Sequence, residues 1–227
     1  MKKCILLLSL ITIAPVLFIS CKGVEGAVGD PGNDGPAGLS VMSFQDGVFP
    51  SDAYSGTQDD SLVSGGSANN NYGTSTVNTV GYNSGNVYRP VIKFDLTSIV
   101  PGDVIVEHAY LTVTIDTAAP NTINVYAVAA AWDEMQCTWM NRLTSTPWTA
   151  AGGDKGALQD SKVCGSTTLV FSLDPALVGT WISDPLHNYG VLLQASDEST
   201  NNEVNVSSRE ETTASARPRL TIYYRLP

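Results

Sequence analysis

Four arginines and a lysine stand beside stretches that alternate like strands. Arg89 and Lys93 lie in "YRPVIKFDL", Arg142 in "TWMNR", Arg209 in "SSRE" and Arg217 in "RPRLTIYY". A guanidinium presents a planar fork of N–H donors that meets a carboxylate in two parallel bonds, so arginines at strand ends suit an acidic ligand. Trp132, Trp139, Trp148 and Tyr189 add flat apolar faces on which a ring can stack. A structural reading stands beside this one. Arg142 can pair with Asp133 or Glu134, the tryptophans can fill one end of a core, and Arg209 can pair with Glu210 across strands. For the tryptophans the structural reading is preferred; for Arg89 and Lys93 the two weigh equally.

Other chemistry finds less support. Asp46, Asp52, Asp59 and Asp60 fall in loop-like sequence and offer hard oxygen ligands, so a structural calcium ion there is one expectation. No other cofactor is implied. Cys137 and Cys164 form an even pair in a chain with export features and are expected to make a disulfide. His108 and His187 are too far apart for a metal pair; His108 is expected to face solvent from a strand and His187 to sit in a turn. The chain has no G-x-S-x-G elbow, no H-E-x-x-H and no phosphate loop, so an enzyme is not expected.

The elements that must hold these residues read as strands. In "AYLTVTID", Ala109, Leu111, Val113 and Ile115 share one face and Tyr110, Thr112, Thr114 and Asp116 the other. "RPVIKFDL" groups Ile92, Phe94 and Leu96 and turns Val91, Lys93 and Asp95 away. "NTINVYAVA", "EVNVSS" and "RPRLTIYYR" repeat the pattern, and each is bounded by turn residues. Only "DPALVGTWISDP" looks helical, with Asp174 to cap it, Pro175 in its first turn and Pro185 to stop it. The expected class is therefore all-β: a two-sheet antiparallel β-sandwich of jelly-roll type with one short helix.

The front of the chain is different. "MKK" and the apolar run to Ser20 read as an export signal over residues 1–20. "LFISC" resembles the lipobox of bacterial lipoproteins, with Cys21 as the lipidated residue. Gly23, Gly26, Gly29, Gly32, Gly35 and Gly38 then keep a period of three, as in a collagen Gly-X-Y repeat. Such a run spans ~55 Å if extended. Residues 21–41 are expected to be a lipidated cysteine and a tether, and residues 42–227 one domain. The protein is thus expected to be exported and held at a cell membrane, an outer membrane or the cell surface by its N-terminal lipid. A homotrimer through the Gly-X-Y run is conceivable but not favoured. The domain carries nine basic against nineteen acidic residues within a chain of net charge −10, which disfavours nucleic acid as a partner.

Seven blocks, "NYG", "YRPVIKFDLTSI", "AYLTVT", "VYAVAAAWDEMQCTWMNR", "NYGVLLQ", "SSRE" and "RPRLTIYY", together resemble the DNRLRE domain, also classed as carbohydrate-binding module family 96. The resemblance covers residues 44–226. It implies a β-sandwich in an exported protein and a polysaccharide partner, acidic (such as alginate) in some members. The strand before the "R…IKFDL" block, "STVNTVGYNSGN", has no lysine or arginine, which puts neutral glycans on equal terms. The expected glycan-binding residues are Arg89, Lys93, Arg142, Arg209, Arg217 and Tyr189. The expected function is a non-catalytic carbohydrate-binding surface lipoprotein. The alternatives are an adhesive head on a short collagen-like stalk and, last, a polysaccharide-degrading enzyme.

Overall fold

A computed structural model describes residues 38–97, 104–117 and 119–227. The export signal, Cys21 and all but the last residues of the Gly-X-Y tether lie outside the described residues. Two antiparallel layers face each other, and the fold is an all-β sandwich. In chain order the first strands are β1 (Ser40–Phe44), β2 (Thr57–Val63), β3 (Val77–Asn83), β4 (Asn86–Phe94), β5 (Ile105–Thr117) and β6 (Thr122–Val128). They are followed by β7 (Asn141–Leu143), β8 (Thr146–Pro147), β9 (Lys155–Val163), β10 (Thr168–Leu173), α1 (Pro175–Ser183), β11 (Val191–Ala195), β12 (Val204–Ser207) and β13 (Arg219–Arg225). Layer one runs β1-β13-β5-β10 and layer two β2-β4-β11-β6-β9. The β3–β12 ribbon joins them, β3 pairing with β4 and β12 with β5.

The alternating apolar positions explain the core. Leu111, Val113, Phe171, Leu220 and Ile222 from layer one meet Ile92, Phe94, Ile123, Val125 and Leu193 from layer two in one buried cluster. Each residue is drawn inward because removing apolar surface from water is favourable, and a period of two puts every second side chain there. Helix α1 begins as expected: the Asp174 carboxylate accepts from the Ala176 N–H at 2.9 Å, and Pro175 occupies the first turn. Among the described residues no helix is long and apolar enough to cross a membrane.

Two expectations are corrected and one is extended. Asp59 and Asp60 do not lie in a loop. "TQDDSLV" is strand β2, in register with β4 from Thr57↔Phe94 to Val63↔Tyr88, and both carboxyls are buried. The strand forms without apolar alternation because its partner strand and its polar neighbours supply what the side chains need. Val91 does face away from the sandwich core, yet it is fully buried, because residues 129–154 fold back over the outside of layer two. This cap makes a second core in which Trp132, Cys137 and Trp148 cover Leu62, Val91, Val128 and Leu192. Finally, Cys137 and Cys164 are both free thiols. Cys137 belongs to the cap core and Cys164 to the sandwich core, so the expected disulfide is absent. The Cys137 Sγ instead donates to Asp60 Oδ2 at 3.0 Å.

Candidate functional site

Strand β4 places Arg89 and Lys93 on the same outward row as Val91, and the cap closes over all three. Arg89 meets Glu198 in a fork, Nε to Oε1 at 2.8 Å and Nη2 to Oε2 at 2.7 Å. Its Nη1 donates to the Gly152 carbonyl at 3.2 Å, and its guanidinium lies 4.9 Å from the Trp139 ring centroid. Gly152 has φ +85°, and a Cβ there would stand 2.6 Å from Trp139, so glycine is what lets the cap approach so closely. Lys93 Nζ donates to the Trp132 carbonyl at 2.8 Å and sits 4.5 Å over that indole. Burial holds its pKa below the usual lysine value, against the pull of Asp133. The indoles of Trp132 and Trp148 are anchored too, each donating at 2.8 Å, to the carbonyls of Tyr189 and Thr138 respectively.

Arg209 lies elsewhere, at the free edge of β2. There Thr57 and Asp59 present backbone groups that no strand pairs, and side chains take the place of one. The Thr57 N–H donates to Asp46 Oδ1 at 2.9 Å, and Arg209 Nη1 donates to the Thr57 carbonyl at 2.5 Å. The Asp59 N–H donates to Glu134 Oε1 at 2.9 Å. Arg209 is also within ion-pair reach of Glu210 (2.8 Å), Glu134 (3.2 Å) and Asp46 (3.7 Å). One guanidinium thus holds together a crowd of carboxyls. Burial raises the pKa values of Glu134 and Glu210, and burial together with the Glu210 charge raises that of Asp59 well above the carboxylate range. Arg217 closes the same corner, donating from Nε to the Glu211 carbonyl (2.7 Å) and from Nη1 to the Asp46 carbonyl (3.1 Å).

The structure therefore brings Arg209 and Arg217 together around Asp46 but leaves Arg89 and Lys93 under the cap. Arg142 is half-exposed and donates to the Ala131 carbonyl at 2.9 Å; the Tyr189 ring leans on His187 at 5.9 Å. These residues form no common open face. Nor do the four aspartates meet: Asp52 is exposed, while Asp59 and Asp60 are neighbours on β2 whose side chains reach different partners. Among the described residues no three acidic, histidine or cysteine groups converge as metal ligands.

A concave site opens where β2, β3 and β4 run beyond the apolar core. The inward row of β4 reads Ile92 and Phe94 within the core and Tyr88 at its far end. Tyr72 lines the same cavity from a loop held by buried Asp60, whose Oδ1 accepts from the Tyr72 N–H (2.9 Å) and Oδ2 from Asn71 Nδ2 (2.9 Å). Burial lifts the Asp60 pKa to about 7 in spite of these donors and the Cys137 thiol. Between the tyrosines is a cleft of about 420 Å³ whose floor and walls include Ser61, Ser75, Thr79 and Asn205. Its polar groups are tied to one another: Ser61 Oγ accepts from the Thr79 N–H at 3.0 Å, and Thr79 Oγ1 donates to Asn205 Oδ1 at 3.2 Å. No charged side chain lines it. Two rings, fixed hydroxyls and amides in a cavity of this size suit a small hydroxylated ring. A wider recess of about 580 Å³ beside Asn121, Cys164 and Asp197 contains no aromatic ring.

Sequence reasoning singled out the cations of "YRPVIKFDL" and passed over Tyr72 and Tyr88. A signal for Tyr88 was present, since it shares the parity of Ile92 and Phe94 and thus points inward where the core ends. Nothing local marked Tyr72.

Residues 51–151 match the family model described as carbohydrate-binding module family 96. The matched segment includes both tyrosines, most of the cleft and nearly the whole cap. No curated protein matches the chain.

Proposed function

We propose that this protein is a non-catalytic carbohydrate-binding protein that takes a neutral, hydroxyl-rich segment of polysaccharide between Tyr72 and Tyr88. One observation carries the reading: a cavity with two aromatic rings among fixed hydroxyl and amide groups lies almost wholly in the segment that matches a carbohydrate-binding family. Sugars present apolar C–H faces and hydroxyl rims, and the cleft answers both. Acidic glycans fit it less well, because no cation lines it and Arg89, Arg209 and Arg217 already hold protein partners.

The same reading includes a cell-exterior setting: export by residues 1–20, a lipid on Cys21 and a Gly-rich spacer preceding the sandwich in the chain. Retention of the full chain in native gels cast with galactomannan, laminarin or hydroxyethyl cellulose tests the binding. Strong retardation by at least one glycan, clearly reduced in Tyr72→Ser/Tyr88→Ser, is expected. Equal retardation of the variant, or none for the native chain, sinks the assignment of the cleft. Cys21→Ala should move the protein out of the membrane fraction.

A further inference from the structure

The two sandwich layers differ in what lies outside them. Layer two is capped; among the described residues nothing covers layer one. On that open face His108 and Tyr110, two positions apart on β5, lie with ring centroids 6.3 Å apart and planes 23° from parallel. Tyr223 on β13 completes the group, 5.9 Å from Tyr110 and 6.3 Å from His108, meeting both edge-on. His108 is exposed and both tyrosines are half-exposed, although the inward rows of these strands are filled without them.

The surroundings of the rings are chemically specific. Tyr110 is flanked across the sheet by Ser172 on β10 and Thr221 on β13, with Thr112 next along its own strand. Arg219 stands opposite Thr112. It has no ion-pair partner among the described residues, and its Nε is buried without a hydrogen-bond acceptor. The central outward positions carry no carboxylate, in a chain whose net charge is −10. Rings, hydroxyls and the half-exposed Arg219 make up the centre of this face, with exposed Val41 and Val170 at its sides and the Glu107–Arg225 pair and Asp116 towards its ends.

We propose that the outer face of layer one is a second carbohydrate-contact surface, on which an extended strand of neutral polysaccharide lies along β5 and β13. Because the two rings meet edge to face, one pyranose unit packs its apolar face on one ring while its neighbour lies against the edge of the other. Arg219 and the flanking hydroxyls donate to sugar oxygens. Charge selects the occupant. A polyanion meets the repulsion of the whole acidic chain with one free guanidinium to offset it, and a second copy of this chain meets the same repulsion. A neutral strand meets neither.

The proposal stands apart from the Tyr72–Tyr88 cleft, and the two are separable by experiment. The full chain in mild detergent is run through native gels cast with hydroxyethyl cellulose, galactomannan or alginate, alongside Tyr110→Ser/Tyr223→Ser and Tyr72→Ser/Tyr88→Ser. The open-face variant is expected to lose retardation about tenfold on a neutral glycan, roughly one stacked ring's worth of affinity. The cleft variant should keep a residual retardation that disappears when all four substitutions are combined. Retardation of the open-face variant equal to that of the native chain overturns the proposal. So does a complete loss in the cleft variant alone, which would leave the cleft as the sole site. A preference for alginate overturns it as well, as does a native chain that sediments as a dimer and a variant that sediments as a monomer. A complete loss in the open-face variant alone would instead remove the cleft from the account and keep this face.

Discussion

On β4 the outward side chains Arg89, Val91 and Lys93 lie beneath residues 129–154, whereas on β5 and β13 the outward His108, Tyr110 and Tyr223 reach solvent. Both rows are made by the same two-residue alternation, and both carry residues suited to holding a sugar. What separates them is a covering segment. Under the cap, cations lose water and must find replacements: Arg89 takes Glu198, Gly152 and the Trp139 face, and Lys93 takes Trp132. They then become parts of the structure. On the open face no such demand exists, and the rings remain available. A side chain's chemistry therefore says what it can bind, and its cover says whether it is free to do so.

The largest test of this contrast is removal of a cap anchor. Trp148→Ala should cost about 3–5 kcal/mol in urea unfolding, as for other large-to-small changes at buried aromatic sites. A loss under 1 kcal/mol would mean that the cap is not a second core. Next comes pH. Asp60 has its folded-state pKa raised to about 7, so between that pH and the ordinary carboxylate range the folded chain holds a proton that the unfolded chain releases. Stability from this group is accordingly absent above pH 7, grows on acidification and is complete near pH 4, for a gain of up to about 4 kcal/mol. Buried Asp59 acts in the same direction. Denaturation midpoints that stay level from pH 8 to 5, or an Asp60→Asn variant with an unaltered slope, would contradict this.

Smaller again is the effect of Arg89→Ala, which strands Glu198 in a site where both side chains are less than one-fifth exposed. It should lower stability by about 2–3 kcal/mol and leave glycan retention per folded molecule unchanged. Loss of retention at undiminished stability would return Arg89 to the binding site and erase the contrast. The smallest change is expected outside. Tyr110→Ser should move stability by no more than about 1 kcal/mol, the scale of a cross-strand pair, while weakening retention. A large stability loss with intact retention would make the open-face rings structural after all.

Much of the sandwich was legible in advance. "AYLTVTID", "RPVIKFDL" and "RPRLTIYYR" each have one buried and one outward row, and the rows fall where alternation puts them. The capped helix α1 was equally readable, since Asp174, Pro175 and Pro185 act locally. Strand β2 was not, because "TQDDSLV" buries aspartates whose donors come from Asn71 and Tyr72 on the following loop and from Cys137 and the Arg209 N–H, far along the chain. For the same reason the internal partners of the expected glycan-binding cations could not be read. Arg89 and Glu198 are 109 positions apart, and no local pattern reveals that one neutralises the other. The free thiols follow the same logic, since even number and spacing say nothing about which core each cysteine enters.

Strand β1 pairs with β13 from Ser40↔Tyr224 to Phe44↔Leu220, so the first and last strands of the sandwich are side by side. The point where the polypeptide arrives and the point where it departs are thus neighbours at one margin of layer one. A linker of a few residues between them would close the backbone into a ring, and the ring could be reopened at an exposed turn such as Asn83–Asn86 without disturbing a buried pair. The module hangs on its chain like a pendant, and it can be inserted into a host loop as readily as fused to a terminus.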